Sequence, residues 1–172
     1  RSTTVTGVQT CALPISAEGH LTAEEAEAVQ VEALTSFLAS PLGQRARQAK
    51  NCWKEQAFGL LLPAREVTPD AAEDDEVYVQ GVIDLFFEER DGGIVLLDYK
   101  TDRKTTPELM RRRYRVQMTL YARAIQRILG KAPKEIYIYR LFDGDAVEMG
   151  KSEEIHDTDL KVFDEFSRST FS

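Results

Sequence analysis

The sequence predicts an α/β domain, a mixed β-sheet of about four or five strands with helices on both faces. Three observations carry this expectation. The periodic segments run in the order helices, strand, hairpin, long helix, strand, which suits a layered α/β sandwich. The two strands flanking Asp91-Gly92-Gly93 are apolar on both faces, because Val77, Val79, Ile83, Leu85 and Phe87 alternate with Val82 and Phe86. Such strands are covered on both sides. Finally, 172 residues with 42% apolar and 30% charged side chains make one ordinary soluble domain. No apolar run approaches the roughly 18 residues of a membrane helix.

The elements follow in order. Residues 1–16 lack helical period and a secretory-signal pattern, and read as a disordered or sequencing-adapter-derived segment that carries no function. Cys11 falls there. The functional domain is expected over 17–150. Thr22 and Glu25 form a capping box for a first helix. Ser40 caps a second, with Pro41 at its first position, continuing to about Lys50. Trp53 to Leu62 reads as a strand ended by Pro63, and Thr68 to Glu76 as an acidic loop. Val77–Glu89 and Ile94–Lys100 form the hairpin. Pro107 opens a long helix to Leu129, closed by Gly130. Lys134–Phe142 and Ala146–Met149 are further strands around an Asp143-Gly144-Asp145 turn. Residues 151–172 are an acidic tail with a short amphipathic helix at 157–167.

Composition removes several function classes. Cys11 and Cys52 are the only cysteines, too few for a disulfide framework or a four-cysteine zinc or iron–sulfur site. The net charge of -7 alone argues against nucleic acid, but the charge is segregated. Asp98 to Lys131 carries ten basic and three acidic residues. The run, including Lys100, Arg103, Lys104, Arg111, Arg112, Arg113, Arg115, Arg123, Arg127 and Lys131, reads as a phosphate track leading away from Lys100.

The hairpin itself carries chemistry. With the turn centred on Asp91, Asp84 faces Asp98, and directly opposed side chains have Cβ atoms roughly 4.5–5.5 Å apart. Asp98 and Lys100, two apart on one strand, project from the same face. Two facing carboxylates repel unless a cation lies between them. Mg²⁺ accepts one or two protein carboxylates and shares substrate phosphate oxygens, and a nearby ammonium can offset charge developing on phosphorus. Gln117 and Tyr121 share a face of the long helix. Tyr114, Met118, Tyr121, Ile125 and Ile128 form an apolar stripe expected in the core, and Trp53 is expected to pack.

Gly81-Val82-Ile83-Asp84, Leu96-Leu97-Asp98-Tyr99-Lys100 and Gln117-Met118-Thr119-Leu120-Tyr121 resemble the RecB-like branch of the PD-(D/E)xK nucleases. That branch has GxxD, then DxK at hairpin distance, then QxxxY on the following helix. Leu62-Pro63-Ala64-Arg65-Glu66-Val67, Asp98-Tyr99-Lys100-Thr101-Asp102 and Tyr114-Arg115-Val116-Gln117 resemble the nuclease domains of AddAB-type bacterial helicase–nucleases. The resemblance spans about Ala17 to Met149. It implies a restriction-endonuclease-like core and a cytoplasmic, Mg²⁺-dependent DNA exonuclease, with Mn²⁺ as substitute, acting in double-strand break repair and recombination beside an AddB-type partner subunit. It makes Asp84, Asp98 and the backbone carbonyl of Tyr99 metal ligands, Lys100 the catalytic lysine, and Gln117 and Tyr121 the third motif. Glu55 resembles an accessory glutamate. Arg103, Lys104, Arg111, Arg112, Arg113 and Arg115 become DNA contacts.

The branch also carries an upstream histidine ligand. His20 resembles a later loop and His156 lies beyond the core, so neither matches, and weak activity or none is expected of this chain alone. No GxxxxGK[ST] phosphate loop occurs, which assigns ATP binding and helicase action to other parts of a longer protein. Two alternatives stand beside this reading. One is a non-catalytic docking module, for which an opposed Asp pair has no use. The other is a stand-alone RecB-like exonuclease of the Cas4 kind, a group that carries cluster-binding cysteines.

Overall fold

The computed structural model describes residues 32–68 and 70–150. The expectations for 1–16, the Thr22–Glu25 capping box, His20, His156 and the 151–172 tail lie outside those residues.

Five strands form one sheet in the order β1 (Asn51–Pro63), β2 (Glu76–Glu88), β3 (Ile94–Lys100), β4 (Glu135–Arg140) and β5 (Ala146–Gly150). Neighbours are antiparallel except β3 and β4, which are parallel. A parallel pair needs a crossover, and the long helix between β3 and β4 supplies it.

The helices begin and end on local signals. In α1 (Pro41–Gln48), Ser40 Oγ accepts a hydrogen bond from Gly43 N at 3.1 Å. The helix stops two residues short of the expected Lys50. A single turn, α2 (Ala64–Val67), follows Pro63. The crossover helix α3 (Pro107–Leu129) has Thr106 as its cap, accepting from Leu109 N at 3.3 Å. Gly130 ends it in the left-handed region at φ 70°, which costs an L side chain roughly 1–2 kcal/mol and glycine nothing.

The centre of the sheet, around the turn end of β2 and along β3 and β4, is covered on both faces. On one side Met110, Met118, Tyr121 and Ile125 of α3 pack on Leu60, Ile83, Phe86, Leu96, Ile136 and Ile138. Trp53 belongs to this layer, stacked on Phe86 at 4.8 Å. On the other, Phe37, from a helical segment at 32–39, and Leu42 of α1 cover Leu85, Leu97 and Tyr139.

Two expectations need correction. The double coverage of the hairpin holds near its turn but not along its whole length. Leu61, Tyr78 and Val82 are exposed, because among the described residues α1 and 32–39 reach only the Leu85–Leu97–Tyr139 end. Ile128, expected in the core stripe, is also exposed; at this end of α3 it is Leu129 that packs against the core.

The alternation of β2 also slips. Ile83 and Leu85 should share a face, yet Ile83 packs under α3 and Leu85 packs on the opposite side. On β1, Trp53 and Phe58 differ in parity but join the same layer. The two slips meet at one level. Pairing runs from Lys54↔Leu85 to Gln56↔Ile83, leaving Glu55 across from Asp84. Glu55 holds φ at 49°, the one positive value among the described non-glycine residues.

Candidate active site

The hairpin pairs as its turn dictates, from Glu88↔Ile94 to Leu85↔Leu97. One step further the strands part. Tyr99 N, which a continuing ladder would satisfy with a backbone carbonyl, instead donates to Asp84 Oδ2 at 3.0 Å. The Asp84 carboxylate thus lies in the fork between β2 and β3. The apolar stretch before it anchors the strand, and the slip in alternation turns this side chain out of the ordinary pleat.

Asp98 sits at the same fork, on the α3 side, with 1% of its surface exposed. Gln117 Nε2 donates to Asp98 Oδ1 at 3.2 Å and to Tyr121 Oη at 2.8 Å. Gln117 therefore ties α3 to the acid on β3. The other carboxylate oxygen, Oδ2, accepts no well-aligned hydrogen bond. Lys100 Nζ lies 2.7 Å from it as an ion-pair partner. Burial pushes the Asp98 carboxyl up to about 6; Lys100 opposes this and the adjacent Asp84 carboxylate reinforces it. Burial likewise raises the Tyr121 phenol.

These donors suit a hard divalent cation. Asp98 Oδ2 is a buried carboxylate oxygen lacking a hydrogen bond, in a structure where such atoms are few. Its close partner is the Lys100 ammonium, 2.7 Å away, which stands where a cation's charge would be felt. A second carboxylate stands beside it, and Tyr99 lies between Asp98 and Lys100 in the chain. No group of three or more His, Cys, Asp or Glu side chains gathers among the described residues. Carboxylate and carbonyl oxygens are the ligand type that Mg²⁺ or Mn²⁺ accept while keeping several waters.

Glu55 is exposed and at the level of Asp84, held in its left-handed conformation. Such strain persists where the surroundings over-determine it.

The basic residues separate into groups. Arg113 pairs with Asp102 at 2.7 Å. Arg111 donates to the Glu148 carbonyl at 2.8 Å. Arg123 pairs with Glu66, and Lys131 with Glu88 at 3.4 Å. Arg103 lies over the Phe142 ring, 4.9 Å from its centroid. Arg112 and Arg115 are exposed on the first half of α3, as is Lys104 in the loop before it. The basic surface near Lys100 is thus 103–115, while Arg123 and Lys131 fasten α3 to α2 and β2.

Two further contacts have no counterpart among the sequence expectations. Lys100 Nζ sits 4.6 Å from the Tyr114 ring centroid, within cation–π range. Tyr114 Oη donates to Asp102 Oδ2 at 2.6 Å. The available signal was spacing: Tyr114 precedes Gln117 by three residues, so one helix face carries both.

A family model for the PD-(D/E)XK nuclease superfamily matches residues 10–169. Over 133 residues, 74% of this chain and 11% of the relative, the chain is 42% identical to the A-subunit of the ATP-dependent helicase/nuclease of Thermoanaerobacter sp. (strain X514). It is 42% identical over 130 residues to the same-named protein of Acetivibrio thermocellus, covering 72% of this chain and 10% of that protein. It is 40% identical over 149 residues to that of Desulforamulus reducens, covering 83% and 12%. The chain spans about a tenth of the length of these curated relatives. The matched span contains the fork, the lysine and the helix that Gln117 ties to them, and on this ground the chain belongs to the PD-(D/E)XK nuclease superfamily.

Proposed function

We propose that this chain is the metal-dependent DNA exonuclease domain of an AddAB-type helicase–nuclease, hydrolysing phosphodiester bonds of one unwound strand during double-strand break repair and recombination. The observation that supports it best is the buried Asp98 carboxylate, with one oxygen held by Gln117, the other paired with the Lys100 ammonium, and the Asp84 carboxylate beside it. A scaffold gains nothing from a buried acid whose ionisation opposes folding.

Asp84, Asp98 and the Tyr99 carbonyl are the groups that hold Mg²⁺ or Mn²⁺ in this reading. The ion, when bound, polarises the phosphodiester and makes water a better nucleophile. Gln117 keeps Asp98 in one rotamer, and Tyr121 keeps Gln117 in place. Lys100 carries the positive charge that stabilises the developing phosphorane oxygens. Glu55 is the accessory acid at the edge of the fork. Arg103, Lys104, Arg111, Arg112, Arg113 and Arg115 receive the backbone of the strand. The domain works in the cytoplasm, beside an AddB-type partner subunit in the longer protein; among the described residues no helix is long and apolar enough to cross a membrane.

The test is Asp98→Ala in an intact AddA-type helicase–nuclease polypeptide, with any second nuclease site inactivated. Strand cleavage is lost while ATP-driven unwinding persists. Cleavage that survives removes this fork from the mechanism.

A further inference from the structure

The turn between β4 and β5 carries an aromatic ring that neither the core nor the acid cluster uses. Phe142 is 58% exposed, the most exposed large apolar side chain among the described residues. A single exposed ring is ordinary; what sets Phe142 apart is its place beside the active strand and under the Arg103 guanidinium.

The turn is rigid. Arg140 pairs with Asp143 across it. Gly144 N donates to the Arg140 carbonyl at 2.9 Å, and Asp145 N donates to Asp143 Oδ1 at 3.2 Å. Gly144 takes φ 75°, so the turn closes without strain. The turn is also fixed to the active strand. Lys100 pairs with Arg140 in the parallel ladder, and Leu141 N donates to the Lys100 carbonyl at 2.9 Å. Phe142 therefore begins one residue past a direct hydrogen bond to the lysine of the fork. Arg103, three residues beyond that lysine, places its guanidinium over the Phe142 ring. Charge there is mixed: Lys100, Arg103, Lys104 and Arg140 stand with Asp102, Asp143 and Asp145, of which Asp102 pairs with Arg113 and Asp143 with Arg140.

We propose that Phe142, with Arg103 over its ring, is a stacking platform for a base of single-stranded DNA next to the phosphate held at the Asp84–Asp98 fork. This rests on the nuclease reading for the position of that phosphate. The chemistry follows from the substrate. A base within a duplex is already stacked on both faces and cannot lie on a protein ring. An unpaired base can, and base–aromatic stacking tolerates every base because each has a π-face. Arg103 contributes twice, as a cation on the ring and as a partner for the adjoining phosphate. The platform makes the site prefer a single strand without reading its sequence.

The experiment measures binding without cleavage, in an Asp98→Asn background with EDTA present, by fluorescence anisotropy. The probes are a dT oligonucleotide, the same oligonucleotide with abasic sites, and a duplex of equal length. Phe142→Leu keeps the apolar bulk and removes the π-face. It should weaken dT binding by about 5- to 150-fold, the worth of one stacked base. It should leave the abasic strand and the duplex unchanged. Its salt slope should equal the parent's, since no charge is removed, whereas Arg103→Ala should flatten the slope. Phe142→Trp should restore dT binding and show indole quenching when dT is added. An equal loss on all three probes, an unchanged dT affinity, or a parent chain that holds no dT overturns the platform. Cleavage is scored separately, in the intact helicase–nuclease polypeptide with and without Asp98→Ala: if cleavage survives Asp98→Ala while the dT selectivity of Phe142 holds, the nuclease reading falls and the platform stands.

Discussion

Asp98→Asn in the metal-free chain should raise its stability at neutral pH, and the gain should disappear in acid. The folded protein holds this carboxyl at about 6 against an ordinary value of 3.8, so ionising it opposes folding. At 1.36 kcal/mol per decade the full cost is about 3 kcal/mol. The sign follows from linkage. A raised carboxyl favours the fold below about 3.8, loses that contribution as the pH rises to about 6, and thereafter leaves the fold carrying the whole cost. Asparagine keeps the Gln117 bond through its Oδ1, and the loss of the Lys100 attraction is already contained in the shifted value, so the expected gain is about 1–3 kcal/mol. For a domain of this size that raises Tm by about 3–10 °C at about pH 7.5. The gain should be roughly half as large near pH 5, about a fifth near pH 4 and absent near pH 3. Thermal melts of both proteins in EDTA across that range measure it. A variant that is less stable at neutral pH, or whose difference from the parent ignores pH, refutes the claim that Asp98 is held ionised against its environment.

Four further outcomes follow from the same geometry. Lys100→Ala should lose cleavage and keep divalent-ion binding, since an ammonium is no ligand, while Asp98→Ala should lose both; calorimetric titration separates them. Metal affinity should fall about tenfold per pH unit below about 6, because the ion must displace the Asp98 proton; a flat isotherm series from about pH 7 to about pH 5 contradicts this. Arg112→Glu should reduce the salt slope of DNA binding by about one at little cost in stability, whereas Arg113→Glu should also lower Tm by removing the Asp102 pair. Gly130→Ala meets open space, with no atom within 4 Å of the added Cβ, so its cost should be the left-handed backbone alone, about 1 kcal/mol by urea denaturation.

The elements most legible in the sequence are bounded by residues with one conformational meaning. Asp91-Gly92-Gly93 fixes the hairpin register, since Gly92 takes φ 82° and Asp91 Oδ1 accepts from Gly93 N. Thr106-Pro107 and Gly130 bracket α3 on chemistry that is local to the chain. The Asp–Asp–Lys arrangement was legible for the same reason, as it needs only a register and a two-residue period. The fork was not legible. Ile83 and Leu85 look alike in sequence, and their separation to opposite faces arises where β2 leaves β3 while remaining paired to β1. The basic run was legible as a count and not as a surface. Glu66, Glu88 and Asp102, which engage Arg123, Lys131 and Arg113, lie far from them along the chain or across a loop.

Gln117 shows why the third motif takes a neutral amide. Asp98 is buried, and an unpaired carboxylate oxygen there costs about 1–3 kcal/mol or more. A lysine at 117 would satisfy Oδ1 but would add a second ammonium beside Lys100 and compete with a cation for the same charge. A glutamate would raise the repulsion already present between Asp84 and Asp98. The amide satisfies one oxygen, leaves the charge in place, and directs the other oxygen toward Lys100 and the fork. Tyr121 then accepts from the same nitrogen and, being buried under α3, fixes the amide's orientation. The helix that provides the β3–β4 crossover is thus also the element that sets the acid's rotamer. Displacement of α3 by about one ångström would break a bond already at 3.2 Å before it disturbed the sheet. Packing of Met118 and Ile125, distant from any phosphate, therefore sets the geometry of the fork as directly as the residues that line it.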